Sequence, residues 1–296
     1  MKVLIFGGSG MLGHKLLQVL ADDFEVFATV RRSSDAYDKL PLLDSTHVIY
    51  RVSVQDPVSV ARALDDVQSD VVVNCIGIVK QLKAARDPLA SIWINALFPH
   101  QLARLCCERD VRLIHISTDC VFSGRKGNYS EKDFADADDL YGRTKFLGEV
   151  VDEGGLTIRT SMIGRELQTS NGLVEWFLSQ TGKKVRGYRR TVFSGFTTNA
   201  LAKILGGVIG DHPELNGVWH VASEPINKLD LLSLIRDIYG LDIEIEQDET
   251  VVCDRSLNGD RFRAATGFVS PSWPDMIVGM QHDATPYDEI RRRDAH

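Results

Sequence analysis

The chain has 296 residues and a mass of 33.0 kDa, with 44% hydrophobic and 25% charged residues, enough for one large or two small domains whose core needs no staples. A net charge of −7 and a pI of about 5.6 exclude a broadly basic nucleic-acid-binding surface and give no support for binding anionic membranes. The five cysteines, Cys75, Cys106, Cys107, Cys120 and Cys253, have neither disulfide nor zinc spacing. With no targeting or membrane-spanning pattern, they predict free thiols, no metal site and a cytoplasmic protein.

Lys2-Val3-Leu4-Ile5-Phe6 reads as a buried parallel strand, and Met11, Leu12, Leu16, Leu17, Val19 and Leu20 recur at helical spacing. Between them lies Gly7-Gly8-Ser9-Gly10-Met11-Leu12-Gly13, a G-x-x-G-x-x-G turn where a dinucleotide fingerprint belongs. Without a Cβ, Gly7 and Gly10 can turn tightly and let a pyrophosphate approach main-chain N–H groups around Ser9, Met11 and Leu12 at a helix start. The next strand, Phe24 to Val30, ends in Arg31-Arg32. An NAD site places an acid about 20 residues past the glycines, whereas cations there suit a 2′-phosphate. Asp35 comes too late to be that acid, so NADPH is the expected cofactor, with NADH the alternative donor.

Val48 to Val54 reads as a third strand, leading through Asp56 to a helix from Pro57 to Leu64. Val71-Val72-Val73-Asn74-Cys75-Ile76-Gly77 reads as a fourth strand, ending in small residues. A helix follows from Pro88 to Arg109, then the strand Arg112-Leu113-Ile114-His115-Ile116-Ser117. His115, inside an apolar strand, reads as a satisfied core histidine. This βαβα order predicts a doubly wound parallel sheet with ligands at its carboxyl ends. The acidic stretch Glu131, Asp133, Asp136, Asp138 and Asp139 reads as a solvated loop. Tyr141 and Lys145 then share one face of a helix. A lysine ammonium beside a phenol lowers its pKa from about 10, towards general acid–base chemistry. Thr118, after the fifth strand, could bond the same substrate oxygen.

Beyond Gly164 the pattern loosens. Lys183, Lys184, Arg186, Arg189 and Arg190 form a basic cluster, Val218 to Val221 reads as a late strand, and Leu229 to Tyr239 as a helix stopped by Gly240. Trp176 and Trp219 read as core. The Arg-rich end, Asp283 to His296, reads as frayed. The expected domains are a dinucleotide-binding domain over 1–165, its sheet completed near 190–222, and a smaller substrate lobe from 166–189 and 223–296.

The chain resembles the extended short-chain dehydrogenase/reductases, and within them the dTDP-4-dehydrorhamnose reductase family. The resemblance rests on Gly7 to Gly13, Asn74 to Gly77, Ile94-Asn95-Ala96, His115-Ile116-Ser117-Thr118-Asp119-Cys120-Val121-Phe122-Ser123-Gly124, Tyr141 to Lys145 with Gly148-Glu149, and Ile158 to Ser161. It implies reduction of a 4-keto group on a nucleotide-activated 6-deoxysugar. Tyr141 would give the proton, Thr118 orient the carbonyl, and Lys145 hold the nicotinamide ribose and depress the Tyr141 pKa. It also implies Asp56 at the adenine and Cys75, Ile76 and Gly77 at the nicotinamide. Asp119, Cys120, Val121, Arg190 and Arg261 are the expected substrate contacts, and a homodimer is common in this group. Asp254 to Phe262 resembles a C-terminal family segment near the substrate. Sugar 4,6-dehydratases carry Asp-Glu after the threonine, but Asp119 is followed by Cys120, which argues against dehydration. Cys120 stands where the family has tyrosine and reads as packing rather than a catalytic thiol. The alternatives are a 4-epimerase with tightly bound NAD and a dinucleotide-binding regulatory subunit. Arg31-Arg32 argues against the first, and the intact Thr118/Tyr141/Lys145 set against the second.

Overall fold

The apolar runs become strands of one parallel sheet. The computed structural model describes residues 1–38, 40–43, 46–80, 83–151 and 154–294. The first half alternates β1 (Lys2–Phe6), α1 (Gly13–Val19), β2 (Glu25–Thr29), β3 (Val48–Ile49), α2 (Pro57–Val67) and β4 (Val71–Asn74). The expected helix from Pro88 is built in three pieces: α3 (Pro88–Ser91), a π-helical stretch (Ile92–Leu97) and α4 (Phe98–Cys107). Then come β5 (Arg112–Ile116), α5 (Leu140–Leu147) and β6 (Leu156–Arg159).

The second half holds β7 (Met162–Ile163), α6 (Leu173–Leu178), β8 (Lys184–Tyr188), β9 (Thr191–Phe193), β10 (Phe196–Thr197), α7 (Thr198–Gly210) and β11 (Gly217–His220). It ends with β12 (Ile226–Asn227), α8 (Lys228–Tyr239), β13 (Glu244–Asp248), β14 (Cys253–Asp254), α9 (Asp260–Thr266), α10 (Trp273–Gln281) and α11 (Tyr287–Asp294).

The sheet order is β11-β6-β5-β4-β1-β2-β3, every pairing parallel. The order reverses at β1, which opens a crevice at the carboxyl ends of β1 and β4. Period-two alternation sorts the central strand between two cores. Val3 and Ile5 pack with Leu16, Leu205 and Val208, while Leu4 and Phe6 pack with Leu64, Phe98 and Leu102. Burying such a side chain fully contributes about 1.5–3 kcal/mol. Asp56 caps α2, its carboxylate accepting from Val58 N at 3.1 Å, and Gly240 ends α8 in the left-handed region at φ 63°.

Among the described residues, β11 completes the main sheet, whereas β10 pairs only with β7. In the lobe β9 pairs with β12 and β14, and β8 with β13. The third strand is shorter than its hydrophobic run, stopping at Ile49 before Arg51, whose φ of 60° leaves the extended region.

The C-terminal stretch corrects the expectation of a frayed end. From Asp283 to Asp294 it is ordered, with Tyr287 and Ile290 in the core and Arg291 on the buried Glu175; residues 295–296 lie outside the described residues. Arg291 has a buried carboxylate to meet, which charge counting along the sequence does not reveal. Trp219 is buried as expected, but Trp176 is 39% exposed.

The acidic stretch is also more than a solvated loop. Asp136 accepts from Ser123, Asp133 from Ser130 and Lys126, and Glu131 from His220 N. In the basic cluster, Lys184, Arg186 and Arg189 face Glu244, Asp248 and Asp230.

Candidate active site

Two close approaches shape the crevice. Gly7 adopts φ 97°, and a Cβ on Gly13 would run into the Gly7 carbonyl, so the first turn of α1 sits directly against the loop. The N–H groups of Ser9, Met11 and Leu12 meet no protein acceptor among the described residues. Such a set of orphan donors at a helix start fits an anionic diphosphate. A Cβ on Gly7 would also touch Ile76, which places the end of β4 beside the turn.

At the end of β2, Arg31 and Arg32 are both exposed, close to where Gly8 N donates to Thr29 O. A third arginine joins them: Arg51 N donates to Arg32 O at 3.1 Å, and Arg51 faces Asp35. Its left-handed backbone was invisible to hydrophobic patterning. Asp56 is exposed, with its carboxylate engaged as the α2 cap.

The opposite wall of the candidate site forms where β5 ends. Gly142 presses α5 against the Cys120 carbonyl so closely that a Cβ would not fit, and the Asp139 carboxylate caps that helix through Gly142 N at 2.7 Å. This brings Tyr141 beside Thr118, near enough for the hydroxyl to act on the phenol. Thr118 also accepts from Cys120 N at 3.1 Å and donates to Asp119 Oδ1 at 3.1 Å. Lys145 is 4% exposed, and its Nζ donates to Ile116 O at 2.8 Å and lies 3.3 Å from His115 Nε2. Burial lowers the Lys145 pKa to about 8, against the opposing pull of Glu149 and Cys75. Cys75 thus links Lys145 back to Ile76 and the glycine turn.

Tyr141 differs from the sequence expectation. Burial pushes its phenol above the ordinary value and Cys120 adds to this; only the Thr118 hydroxyl opposes among its leading influences. Lys145 is not among them. Burial and Asp119 push the Cys120 thiol up to about 12, which keeps it a neutral packing group.

Several site residues escaped the sequence reading. Lys80 lies 5.6 Å from the centre of the Tyr141 ring and pairs with Asp139. Burial raises the Asp119 pKa, while Arg255 and Lys228 act against it. Arg255 belongs to the C-terminal segment singled out in the sequence, whereas Lys228 carries no local signal. Buried Asn95, already named in the Ile94-Asn95-Ala96 motif, brackets the wall, donating to Ile78 O at 3.1 Å and Thr144 Oγ1 at 3.3 Å while accepting from Ile78 N at 2.8 Å.

Two expected substrate contacts look elsewhere. Arg261 stacks on Trp219 at 3.6 Å and donates to Val218 O, and Arg190 is exposed beside β9. Val121 is fully buried against Phe122 and Tyr129. Among the described residues no His/Cys/Asp/Glu group could hold a metal, and no helix is long and apolar enough to cross a membrane.

This geometry can now be set beside known proteins. Residues 1–246 match the family described as RmlD substrate binding domain. The chain belongs to that family. It is therefore an extended short-chain dehydrogenase/reductase of the dTDP-4-dehydrorhamnose reductase-like kind. It is 28% identical to the dTDP-4-dehydrorhamnose reductase of Mycolicibacterium smegmatis over 75% of this chain and 64% of that one. It is 29% identical to the dTDP-4-keto-6-deoxy-D-glucose reductase of Streptomyces niveus over 54% and 52%. The match thus spans about half to two thirds of these relatives' lengths. The fold extends further: a hypothetical dTDP-4-dehydrorhamnose reductase from Sulfolobus tokodaii superposes with a TM-score of 0.76 at 25% identity, covering 92% of this chain and 98% of that one.

Proposed function

We propose that the protein reduces the 4-keto group of a nucleotide-activated 6-deoxysugar with NADPH, Tyr141 giving the proton. The observation that carries this reading is the meeting of Thr118, Tyr141 and Lys145 at the end of β5, connected through Cys75 and Ile76 to the glycine turn. A reduced nicotinamide bound in the crevice supplies hydride to the carbonyl carbon. Ser9, Met11 and Leu12 N–H groups hold the diphosphate, and Arg31, Arg32 and Arg51 hold the 2′-phosphate. Cys75, Ile76 and Gly77 border the nicotinamide, and Lys145 holds its ribose.

Thr118 and Tyr141 both bond the carbonyl oxygen, and as charge grows there the phenol delivers its proton. Burial favours the protonated phenol, the state that a reductive step requires. Asp119 and Cys120 border the sugar. Arg255 and Lys228, rather than Arg190 and Arg261, supply positive charge towards the sugar nucleotide.

The test is an assay of the purified protein, which is expected to consume NADPH only when a 4-keto-6-deoxysugar nucleotide is added. In Tyr141→Phe turnover should fall by about 10²–10⁴-fold while the dinucleotide still binds; unchanged turnover there overturns the reading. Equal affinity for NADPH and NADH in the parent, unaltered by Arg31→Ala or Arg32→Ala, overturns the 2′-phosphate assignment. Release of NAD⁺ on denaturation would favour the epimerase instead.

A further inference from the structure

Lys228 sits where a cation is disfavoured. It opens α8 directly after the Asn227 cap, and the positive end of a helix dipole repels an ammonium. Its Nζ lies 4.0 Å from the centre of the buried Phe193 ring, and that ring face offsets part of its burial. Among the described residues the ammonium has no hydrogen-bond acceptor and no ion-pair partner.

Asp119 is the complementary case. It is buried, and its Oδ1 accepts from Thr118 Oγ1 at 3.1 Å. Cys120 adds a thiol, a weak donor, and among the described residues no cation touches the carboxylate. Burial raises the Asp119 pKa and lowers that of Lys228, and each charge works against that shift in the other.

The strands of the lobe bring the two together. β12, which leads into Lys228, pairs with β9 at Phe193, and β14 pairs with the far side of β9. β14 in turn meets the loop of Asp119: Asp254 N donates to Gly124 O at 2.7 Å, and Arg255 Nε to Phe122 O at 2.8 Å. A Cβ on Gly124 would collide with Cys253 Sγ, so this approach is close. Arg255 is thereby anchored, whereas the Lys228 ammonium is uncommitted.

A carboxylate and an ammonium that act on one another out of ion-pair contact call for a mediator. Asp119 opposes an anionic ligand group there and Lys228 a cationic one, so the mediator is neutral. It must donate to the carboxylate and accept from the ammonium at once, which a hydroxyl does. Its position follows from Thr118, whose Oγ1 is 3.1 Å from Asp119 Oδ1 and which bonds the keto oxygen in the reductase reading. The hydroxyl is then on a carbon next to C4. Of the two such carbons in a 6-deoxypyranose, C3 carries a hydroxyl and C5 does not.

We propose that Asp119 and Lys228 together read the 3-hydroxyl of the sugar, which donates to the carboxylate and accepts from the ammonium, and so select 3-hydroxylated over 3-deoxy sugars. The proposal rests on the reading of the protein as a nucleotide-sugar 4-ketoreductase. A 3-deoxy sugar leaves both charges buried without a partner. No bond at C3 changes in the reaction, so the contact is made alike before and during hydride transfer and acts on KM rather than kcat.

The experiment compares a dTDP-linked 4-keto-6-deoxyhexose with its 3-deoxy analogue, in the parent and in Lys228→Met. The parent is expected to favour the 3-hydroxylated sugar by about 10²–10⁴-fold in kcat/KM. Lys228→Met should lose about 10–100-fold on that sugar, mostly through KM, and change little on the 3-deoxy one. Lys228→Gln, whose amide again donates, should recover part of the loss. Equal losses on the two sugars, as a merely structural lysine would give, overturn the proposal, and so does a parent that uses both alike. If Lys228→Met does not fold, the preference of the parent decides. Calorimetry with the matching 4-hydroxy nucleotides separates the two readings. No turnover, with the 3-hydroxyl preference kept in binding, ends the reductase reading alone; turnover without that preference ends this proposal alone. A protein that binds neither sugar overturns both.

Discussion

Among the described residues Lys15 and Lys145 are both buried, each beside a buried histidine, and their pairing differs. Lys15, on α1 behind the glycine turn, has an acceptor for each ammonium hydrogen: the Asp283 carboxylate, Gln18 Oε1 at 2.6 Å and Thr285 Oγ1 at 2.9 Å. Its neighbour His14 gives Nδ1–H to Gly10 O at 2.8 Å and accepts from Tyr287 OH at 2.9 Å on Nε2. Lys145 has one carbonyl, one imidazole and no carboxylate in contact. Burial lowers the pKa of both lysines, but only Lys15 has a bonded carboxylate pulling back. The neutralised ammonium fastens the C-terminal helix to the dinucleotide turn, and the other is left free to exchange protons.

The sharpest way to break the contrast is to remove each amine. Lys145→Met should cost about 10²-fold or more in turnover while leaving the melting temperature unchanged or higher, because an unpaired buried amine disappears. Lys15→Met should do the reverse, keeping turnover and losing stability, since Asp283 would keep its bonds from Asn199 and Thr285 N but lose its counter-charge. Matched losses of stability in the two variants would show that the difference in pairing carries no energetic weight.

Next in size is the carboxylate itself. Asp283→Asn leaves the Lys15 charge without its counterion, and breaking such a buried pair costs about 3–5 kcal/mol. Denaturant unfolding measures it, and adding Lys15→Met to Asp283→Asn should recover most of the loss. The Lys15 bond and others hold Asp283 at about 2, below its ordinary 3.8, despite burial pushing it up. Its contribution is therefore present above pH 3.8 and fades as pH falls towards 2. Parent and Asp283→Asn should converge in stability across that acid window.

Lys145 has the opposite sign. Its native midpoint of about 8 lies below the unfolded 10.5, so between those values the unfolded chain holds a proton that the native one lacks. Stability must rise with pH through that window, by about 3 kcal/mol relative to Lys145→Met. A flat difference between the two proteins from pH 8 to 10.5 would remove the depressed midpoint.

The strand–turn–helix around Gly7 and the Tyr141/Lys145 spacing were legible in the sequence because both are local: the residues that act together are close in the chain. Thr118 was legible because it ends a strand whose neighbours are set by sheet order. Lys228 and Arg255 reach Asp119 only through the packing of β9, β12 and β14, which no periodicity encodes. The same holds for Asp283 and Tyr287. A charged segment reads as solvated unless its buried counter-charges, here Lys15 and Glu175, are known in advance. His115 was placed correctly as core, but its tautomer depends on Asn74 in the adjacent strand, 41 positions away.

The smallest effect tests whether the rear contact reaches the cofactor. Tyr287→Phe removes the hydroxyl that donates to His14 Nε2 and leaves the ring, with Lys15 at 5.2 Å and Arg165 at 4.8 Å from its centre. One neutral hydrogen bond contributes about 1 kcal/mol, so stability should fall by that order. His14 also holds Gly10 O through Nδ1, so a loosened imidazole frees the backbone next to the orphan Met11 and Leu12 N–H groups. Dinucleotide affinity should then weaken a few-fold, with kcat on saturating substrate unchanged. If stability falls and affinity does not, the C-terminal helix fastens α1 without setting the shape of the diphosphate turn, and the two lysine sites are energetically separate.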